Sequence, residues 1–376
     1  MKIKKILVII LSVMIIGMAV MEIILPKREY SENENRHLAT FPEMSFNSLK
    51  TGELVENIEA YVTDHFPLRD EFMSLYGITQ RCEGMKEINN VFVGKNGYLI
   101  EKQDEYKNIE KIFTKINTLY EKVKDKGVSV NVMLVPTCIT FYSKYLPDNA
   151  VYASQTDAKD KIKSNLADGI NYIEPFDMDA NGNFSSKYDD YQMFYKTDHH
   201  WTCYGAYFAY ENYCLSMGLK PFSMSDYSIK TVSESFYGTV FSKVNDLSVE
   251  GDTMVLFDKE RNLTVNYQGG QSDSLYNDAY LNKKDKYSYY LNNINDRIDI
   301  VNNDIHNGKV LLVVKDSYAN CFIPFLTDYY EKIIVLDTRY YMYGASPIAD
   351  KENVTDILIL YNMSTIDSDA GINGIY

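Results

Sequence analysis

The strongest pattern in the chain is an apolar run from Ile6 to Leu25, whose only charge is Glu22, preceded by Lys2, Lys4 and Lys5. Twenty residues in a helix reach about 30 Å, the thickness of a bilayer core. Residues 1–25 therefore read as a cytoplasmic tip and signal anchor. A cleaved signal peptide is the competing reading, although its apolar stretch is normally shorter and no clean small-x-small site precedes Pro26. The three lysines outweigh Lys27 and Arg28 on the other flank. They place the N-terminus in the cytoplasm and the bulk of the chain outside, as a single-pass protein of the cell membrane held through residues 6–25.

Beyond the anchor, residues 26–50 are polar and irregular, and helical patterns follow over 52–62 and 67–83. A stalk with N-terminal helices is expected over 26–89, and a main domain over 90–376. That domain opens with a hairpin over 91–100, turning at Lys95-Asn96-Gly97. An amphipathic helix over 104–126 ends at Gly127. The short apolar run 128–135 then reads as a buried parallel strand. A helix over 156–168, a strand near 170–174 and a helix over 202–219 come next. Residues 221–308 break the rhythm: they are rich in Asp, Asn, Ser and Tyr, carry short β-like pieces such as 253–257, and read as a β-rich insertion. Alternation resumes with apolar runs at 309–314, 332–336 and 356–360. The predicted fold is α/β, a mostly parallel sheet flanked by helices.

Composition narrows the function. Subtracting three lysines and one glutamate of the anchor from 38 basic and 52 acidic residues leaves 35 and 51, a net charge of −16. That argues against nucleic-acid binding, which wants a basic surface. The five cysteines, at 82, 138, 203, 214 and 321, fit no zinc pattern; Cys203 and Cys214 are the one pair that spacing offers, and buried thiols are the simpler reading. The 33 tyrosines suit a wet, sugar-stacking surface, and a biased genome explains them equally well.

Candidate chemistry concentrates in two segments. Tyr195-Lys-Thr-Asp-His-His-Trp-Thr202 holds two of the five histidines and the only tryptophan, in a loop just before a helix. Asp198 and His200 are spaced so that the carboxylate can orient the imidazole of the same loop. Three readings stay open on residue chemistry: a catalytic pair, an Asp or Thr helix cap, and metal binding by His199 and His200, for which no third ligand is evident nearby. Leu311-Leu-Val-Val-Lys-Asp-Ser-Tyr-Ala-Asn320 runs from a buried strand into a helix. Ser317 sits on that turn, either as a nucleophile near helix-start N–H groups or as an ordinary cap.

These segments resemble the DHHW protein family, which is related to the alginate O-acetylation proteins within the SGNH-hydrolase class. The matching pieces, in order, are Asn35-Arg36, Leu38-Ala-Thr-Phe-Pro42, Asp64-His-Phe-Pro-Leu-Arg-Asp70, Val93-Gly-Lys-Asn-Gly-Tyr-Leu99, Val135-Pro136, Thr197-Asp-His-His-Trp-Thr202, Lys315-Asp-Ser-Tyr-Ala-Asn320 and Asp337-Thr-Arg-Tyr340. The resemblance implies an SGNH-like sheet, Asp198 and His200 as the Asp-x-His pair, and Ser317 as nucleophile. It also makes Tyr318, Arg339, Tyr340 and Trp201 candidates for substrate or oxyanion contact. Asn292 or Asn293 would stand in for the asparagine of a Gly-Gly-Asn stretch seen in many members. Thr137-Cys138 follows the Val-Pro turn, where alginate relatives carry a lysine.

The implied function is extracytoplasmic O-acetyl transfer to, or acetyl-ester removal from, a cell-surface polysaccharide through a Ser-His-Asp triad and an acyl-enzyme. A polysaccharide acceptor and a polytopic membrane acyltransferase are the implied partners; no cofactor or metal is called for. The alternative is a non-catalytic glycan-binding or scaffold protein of a cell-envelope polysaccharide system.

Overall fold

A computed structural model describes residues 2–31 and 36–376, so Asn35 of the first family-like piece lies outside the described residues. The chain divides into two compact units, residues 1–85 with 242–248, and residues 86–241 with 249–376.

The first unit begins with the helix Lys2–Ile24. Its segment Lys4–Glu22 has a mean hydropathy of 2.3 and no buried face, long and apolar enough to cross a membrane. The same segment fits a signal anchor and a signal peptide alike. The expected helices form at Glu53–Asp64 and Arg69–Cys82. Part of the expected irregular stalk is ordered too, as the short helix Phe46–Thr51 capped by Ser45. Asp64 ties this region together, accepting from both Arg36 guanidinium nitrogens (2.8 and 2.5 Å) and from Ala39 N (2.8 Å). The Arg36 hydrogen bond outweighs burial and draws the carboxyl down to about 2. Gly77 is required in its helix, because a Cβ there would lie 2.1 Å from the Val244 carbonyl oxygen.

The second unit is a mixed α/β domain around an eight-stranded sheet. In chain order its strands are β1 (Ser129–Val135), β2 (Ile170–Tyr172), β3 (Leu263–Tyr267), β4 (Gly270–Ser272), β5 (Arg297–Asn302), β6 (Val310–Lys315), β7 (Lys332–Leu336) and β8 (Asp356–Asn362). Their spatial order is β4-β3-β5-β7-β6-β8-β1-β2. From β7 to β2 all pairings are parallel. From β4 to β7 all are antiparallel. The sheet is thus more mixed than a mostly parallel one, because segment 221–308 lends it three strands, β3 to β5. The same segment contributes a separate pair, Ser228–Phe236 with Asp252–Asp258.

The apolar runs are continuous because both faces of the parallel strands are covered. Leu311, Val313, Ile333, Val335, Leu358 and Leu360 pack toward the helices Cys203–Ser216 and Ala319–Leu326. Leu312, Val314, Ile334, Leu336, Ile357 and Ile359 pack toward Ile112, Ile116, Leu119 and Val123 of the helix Ile109–Val123. That helix starts later than residue 104. The N–H groups of Lys107 and Asn108 are taken instead by the Asp367 carboxylate, at 3.1 and 2.7 Å. Cys203 and Cys214 both lie on one helix, eleven residues and about 16 Å of rise apart. They cannot pair, and all five cysteines are free thiols.

Leu360→Ala, at a fully buried position on β8, is expected to destabilise the domain by about 2–5 kcal/mol. Denaturant unfolding followed by circular dichroism checks this.

Candidate active site

The catalytic candidates sit at the carboxyl ends of the parallel strands, where α/β sheets collect their sites. Ser317 follows β6 by two residues, on a turn into the helix Ala319–Leu326. Asp316 shapes that turn. It is fully buried and accepts from Tyr318 N (2.8 Å), Asn362 N (2.7 Å) and Asn362 Nδ2 (2.6 Å). The turn that carries Ser317 is thereby fastened to the end of β8. Burial pushes the Asp316 carboxyl up to about 6.

The loop 193–202 folds back on itself. Phe194 bridges to Trp201, Tyr195 N donates to the His200 carbonyl, and Thr202 N donates to the Met193 carbonyl. Asp252 of the antiparallel pair holds the loop from outside, accepting from Lys196 N (2.8 Å), Thr197 N (2.8 Å) and Thr197 Oγ1 (2.6 Å). The helix cap turns out to be Thr202, whose hydroxyl accepts from Tyr204 N and Gly205 N. Asp198 is therefore released from that duty.

Asp198, His200 and Ser317 meet. Ser317 Oγ lies 2.7 Å from His200 Nε2, and His200 Nδ1 lies 2.5 Å from Asp198 Oδ1. The second Asp198 oxygen accepts from Thr239 N (2.8 Å) and Thr239 Oγ1 (3.1 Å), and Oδ1 also accepts from His200 N (3.0 Å). Burial raises the Asp198 carboxyl, but the adjacent His199 and His200 rings and the Thr239 donors outweigh it and hold the group ionised. His200 moves the other way. Burial, with the neighbouring His199, brings it down to about 4 against the pull of Asp198. The imidazole is thus neutral at pH 7, with a carboxylate on one nitrogen and a hydroxyl on the other. Ser317 remains partly exposed while His200 is 6% exposed. Solvent hardly reaches the ring.

Asp198, His199 and His200 also bring three ligand-type atoms within 4.8 Å of one another, a third ligand that spacing had not revealed. Both ring nitrogens of His200 already carry partners, and His199 Nδ1 lies 2.7 Å from Thr239 Oγ1. The set fits a hydrogen-bonded relay better than a metal cage.

The other sequence candidates are placed differently. Trp201 and Tyr318 are fully buried. The indole N–H donates to the Tyr318 carbonyl (2.8 Å), and the Tyr318 hydroxyl donates to the His199 carbonyl. Both therefore hold the two segments together and offer no surface to a substrate. Arg339 pairs with Asp337 through Nε (2.8 Å) and Nη2 (2.6 Å), and its charge is felt at His200 and Asp316. Tyr340 is half exposed and lies beside the Arg339 guanidinium. The side chains of Asn292 and Asn293 bond to Asn277 (2.6 Å) and Ser288 (2.9 Å), within their own region. The described contacts give neither a bond to Ser317.

Tyr287, Thr239 and Asp252 were not legible in the sequence. Each arrives from the irregular segment 221–308, where no periodicity marked it. Tyr287 stacks on His200, with centroids 3.6 Å apart and 8° between planes. Beside Asp198 and His199 opens a small cleft of about 50 Å³ lined also by Glu101, Thr137, Asn362 and Thr365.

Comparison with known proteins finds one family and several solved structures of similar fold. The sequence profile of the DHHW protein family matches residues 97–336. A DHHW family protein from Eubacterium siraeum shares the fold at 24% identity and a TM-score of 0.67, covering 76% of this chain and 96% of that one. Bacillus cereus PatB1, solved with a sulfonyl adduct, gives 20% identity and a TM-score of 0.63 over 76% and 98%. The O-acetyltransferase domain of Pseudomonas putida AlgJ is more distant, at 13% identity and a TM-score of 0.43 over 74% and 93%. No curated protein matches at the sequence level. The profile spans well over half of the chain, and this protein belongs to the DHHW protein family.

Proposed function

We propose that this protein moves acetyl groups to or from hydroxyls of a cell-surface polysaccharide. Its site would act as a Ser-His-Asp triad that passes through an acyl-enzyme. The observation that carries the reading is the unbroken contact from Ser317 Oγ through His200 to Asp198. Ser317 Oγ adds to the ester carbonyl carbon while His200 Nε2 takes the hydroxyl proton, and Asp198 steadies the imidazolium. The tetrahedral intermediate expels the donor's alkoxide, which leaves with the proton from His200. A sugar hydroxyl or water then attacks the acyl carbon, giving its proton to His200, and Ser317 recovers a proton as it departs.

The fold shared with PatB1 supports this reading. With the N-terminal helix in a membrane as a signal anchor, the site would face the cell envelope. There a polytopic membrane acyltransferase would supply the acyl group. The rival scaffold reading keeps the fold without chemistry, and the contact between the three side chains is what disfavours it.

The first test uses the full-length chain in detergent with p-nitrophenyl acetate. Ser317→Ala and His200→Ala are expected to fall to background while their circular dichroism stays unchanged. Activity surviving in either variant sinks the triad. Background rates in all three proteins favour the scaffold.

Asp198→Asn is expected to lower kcat by about 10⁴-fold. Gly238→Ala offers a subtler check, because its Cβ would lie 2.1 Å from Asp198 Oδ2 and must displace that carboxylate. A loss of about 10²-fold in kcat is expected for such a misplacement.

The pH profile has a defined sign. His200 acts as a base only when neutral, and its proton leaves at about 4. kcat/KM is expected to be level through neutral pH and to drop as pH falls through that value. A fall centred near 6.5 would mean that the base titrates as an ordinary imidazole and that burial does not lower His200.

A further inference from the structure

Tyr287 makes two contacts with the site. Its ring lies flat on His200, and its hydroxyl donates to the Ser317 backbone carbonyl at 3.2 Å. One side chain therefore touches both the base and the nucleophile's own residue. The opposite face of His200 is covered by His199, with centroids 3.8 Å apart. The imidazole sits between two rings. It cannot turn about its Cβ–Cγ bond, and so lose Ser317 or Asp198, without displacing Tyr287.

Tyr287 is itself held from behind. The edges of Tyr195 and Tyr290 meet its ring at centroid distances of 6.4 and 5.3 Å. Its hydroxyl also lies 3.3 Å from Cys321 Sγ. The loop that follows contains three successive non-glycine residues in the left-handed region, Leu291 (φ 54°), Asn292 (φ 54°) and Asn293 (φ 69°). Such conformations are costly and persist only where the surroundings over-determine them. Here they do: Asn277 Nδ2 donates to Asn292 Oδ1, Ser288 Oγ donates to Asn293 Oδ1, and Leu291 N donates to the Leu275 carbonyl. This strained loop begins directly after Tyr290, whose ring packs on Tyr287.

We infer that Tyr287 is a positioning residue that locks His200 and Ser317 into mutual alignment, and that Asn292 and Asn293 act through it. The inference rests on Ser317 being the nucleophile. In this role the asparagines support the ring from the loop, and they need not contact the reacting oxygen.

The test is sulfonylation of the full-length chain in detergent by phenylmethylsulfonyl fluoride, read by mass spectrometry, alongside kcat and KM with p-nitrophenyl acetate. In the labelling step Ser317 Oγ bonds to sulfur, the S–F bond breaks, fluoride leaves and the hydroxyl proton goes to His200. The variants are Tyr287→Leu, which removes the ring, and Tyr287→Phe, which keeps the ring and removes the hydroxyl. Tyr287→Leu is expected to slow both labelling and kcat by about 10²-fold, as misalignment of reacting groups does, with KM within about twofold. Tyr287→Phe is expected to recover most of that loss.

A Leu variant that labels as fast as wild type, or a Phe variant as slow as Leu, overturns the assignment to the ring. Should Tyr287→Leu not fold, Asn277→Ala removes the partner of Asn292 at a distance from the chemistry. It is expected to lower kcat several-fold at constant KM, and an unchanged kcat overturns the inference. A wild-type chain that takes no label at Ser317 overturns the triad reading and this one together. Labelling that is normal in wild type and unchanged in the variants overturns this one alone.

Discussion

Asp198 is 2% exposed, and a carboxylate in such a place is stable only if its charge is answered. Four donors answer it: the backbone and hydroxyl of Thr239, the His200 amide and the His200 ring. Much of the surrounding structure can be read as supplying those donors. Gly238 has no Cβ because the carboxylate occupies that space. The Asp252 carboxylate grips the backbone of residues 196 and 197 so that Asp198 points inward. Once the charge is fixed, the orientation and tautomer of His200 follow, and with them the nitrogen that faces Ser317.

A second buried carboxylate does a parallel task for the turn that carries Ser317. Asp316 spends its acceptor capacity on the Tyr318 amide and the Asn362 amide and side chain. The Ser317 turn is thereby set by the neighbouring strand as well as by its own. Their surroundings shift the two carboxylates in opposite directions. Asp198 is surrounded by imidazoles and donors and stays ionised, whereas burial lifts Asp316 toward neutrality.

The parts of this architecture with strict periodicity were readable from the sequence. Strands β1, β6, β7 and β8 are buried on both faces, so their apolar runs are unbroken and stand out. Asp198, His200 and Ser317 were readable because few residue types do their chemistry and each lies next to a regular element. The irregular segment was opaque for a physical reason. Its strands β3 to β5 join the far side of the sheet, and its loops are held by side-chain bonds between residues distant in sequence, such as Lys286 to Ser233 and Tyr290 to Val255. Such bonds leave no local period. Asn292 and Asn293 drew attention as possible oxyanion donors, yet their positive φ and their bonds to Asn277 and Ser288 were not visible in composition. Trp201 and Tyr318 drew attention as aromatic residues near the chemistry, and burial turned them into internal braces.

The order of strands carries a consequence for how the molecule comes into being. β8 is the last of the eight strands along the chain, yet it lies between β6 and β1 near the middle of the sheet. Strand β1 has no neighbour on the β8 side until residues 356–362 arrive, more than two hundred positions later. The parallel half of the sheet must therefore close around a late-arriving central strand. Contacts of such long sequence separation slow folding, since the ordering of the intervening chain is lost before any pairing compensates it. The turn that carries Ser317 waits on the same event, because Asn362 at the end of β8 is what Asp316 fastens to. The turn that carries Ser317 is thus set only as the fold is completed.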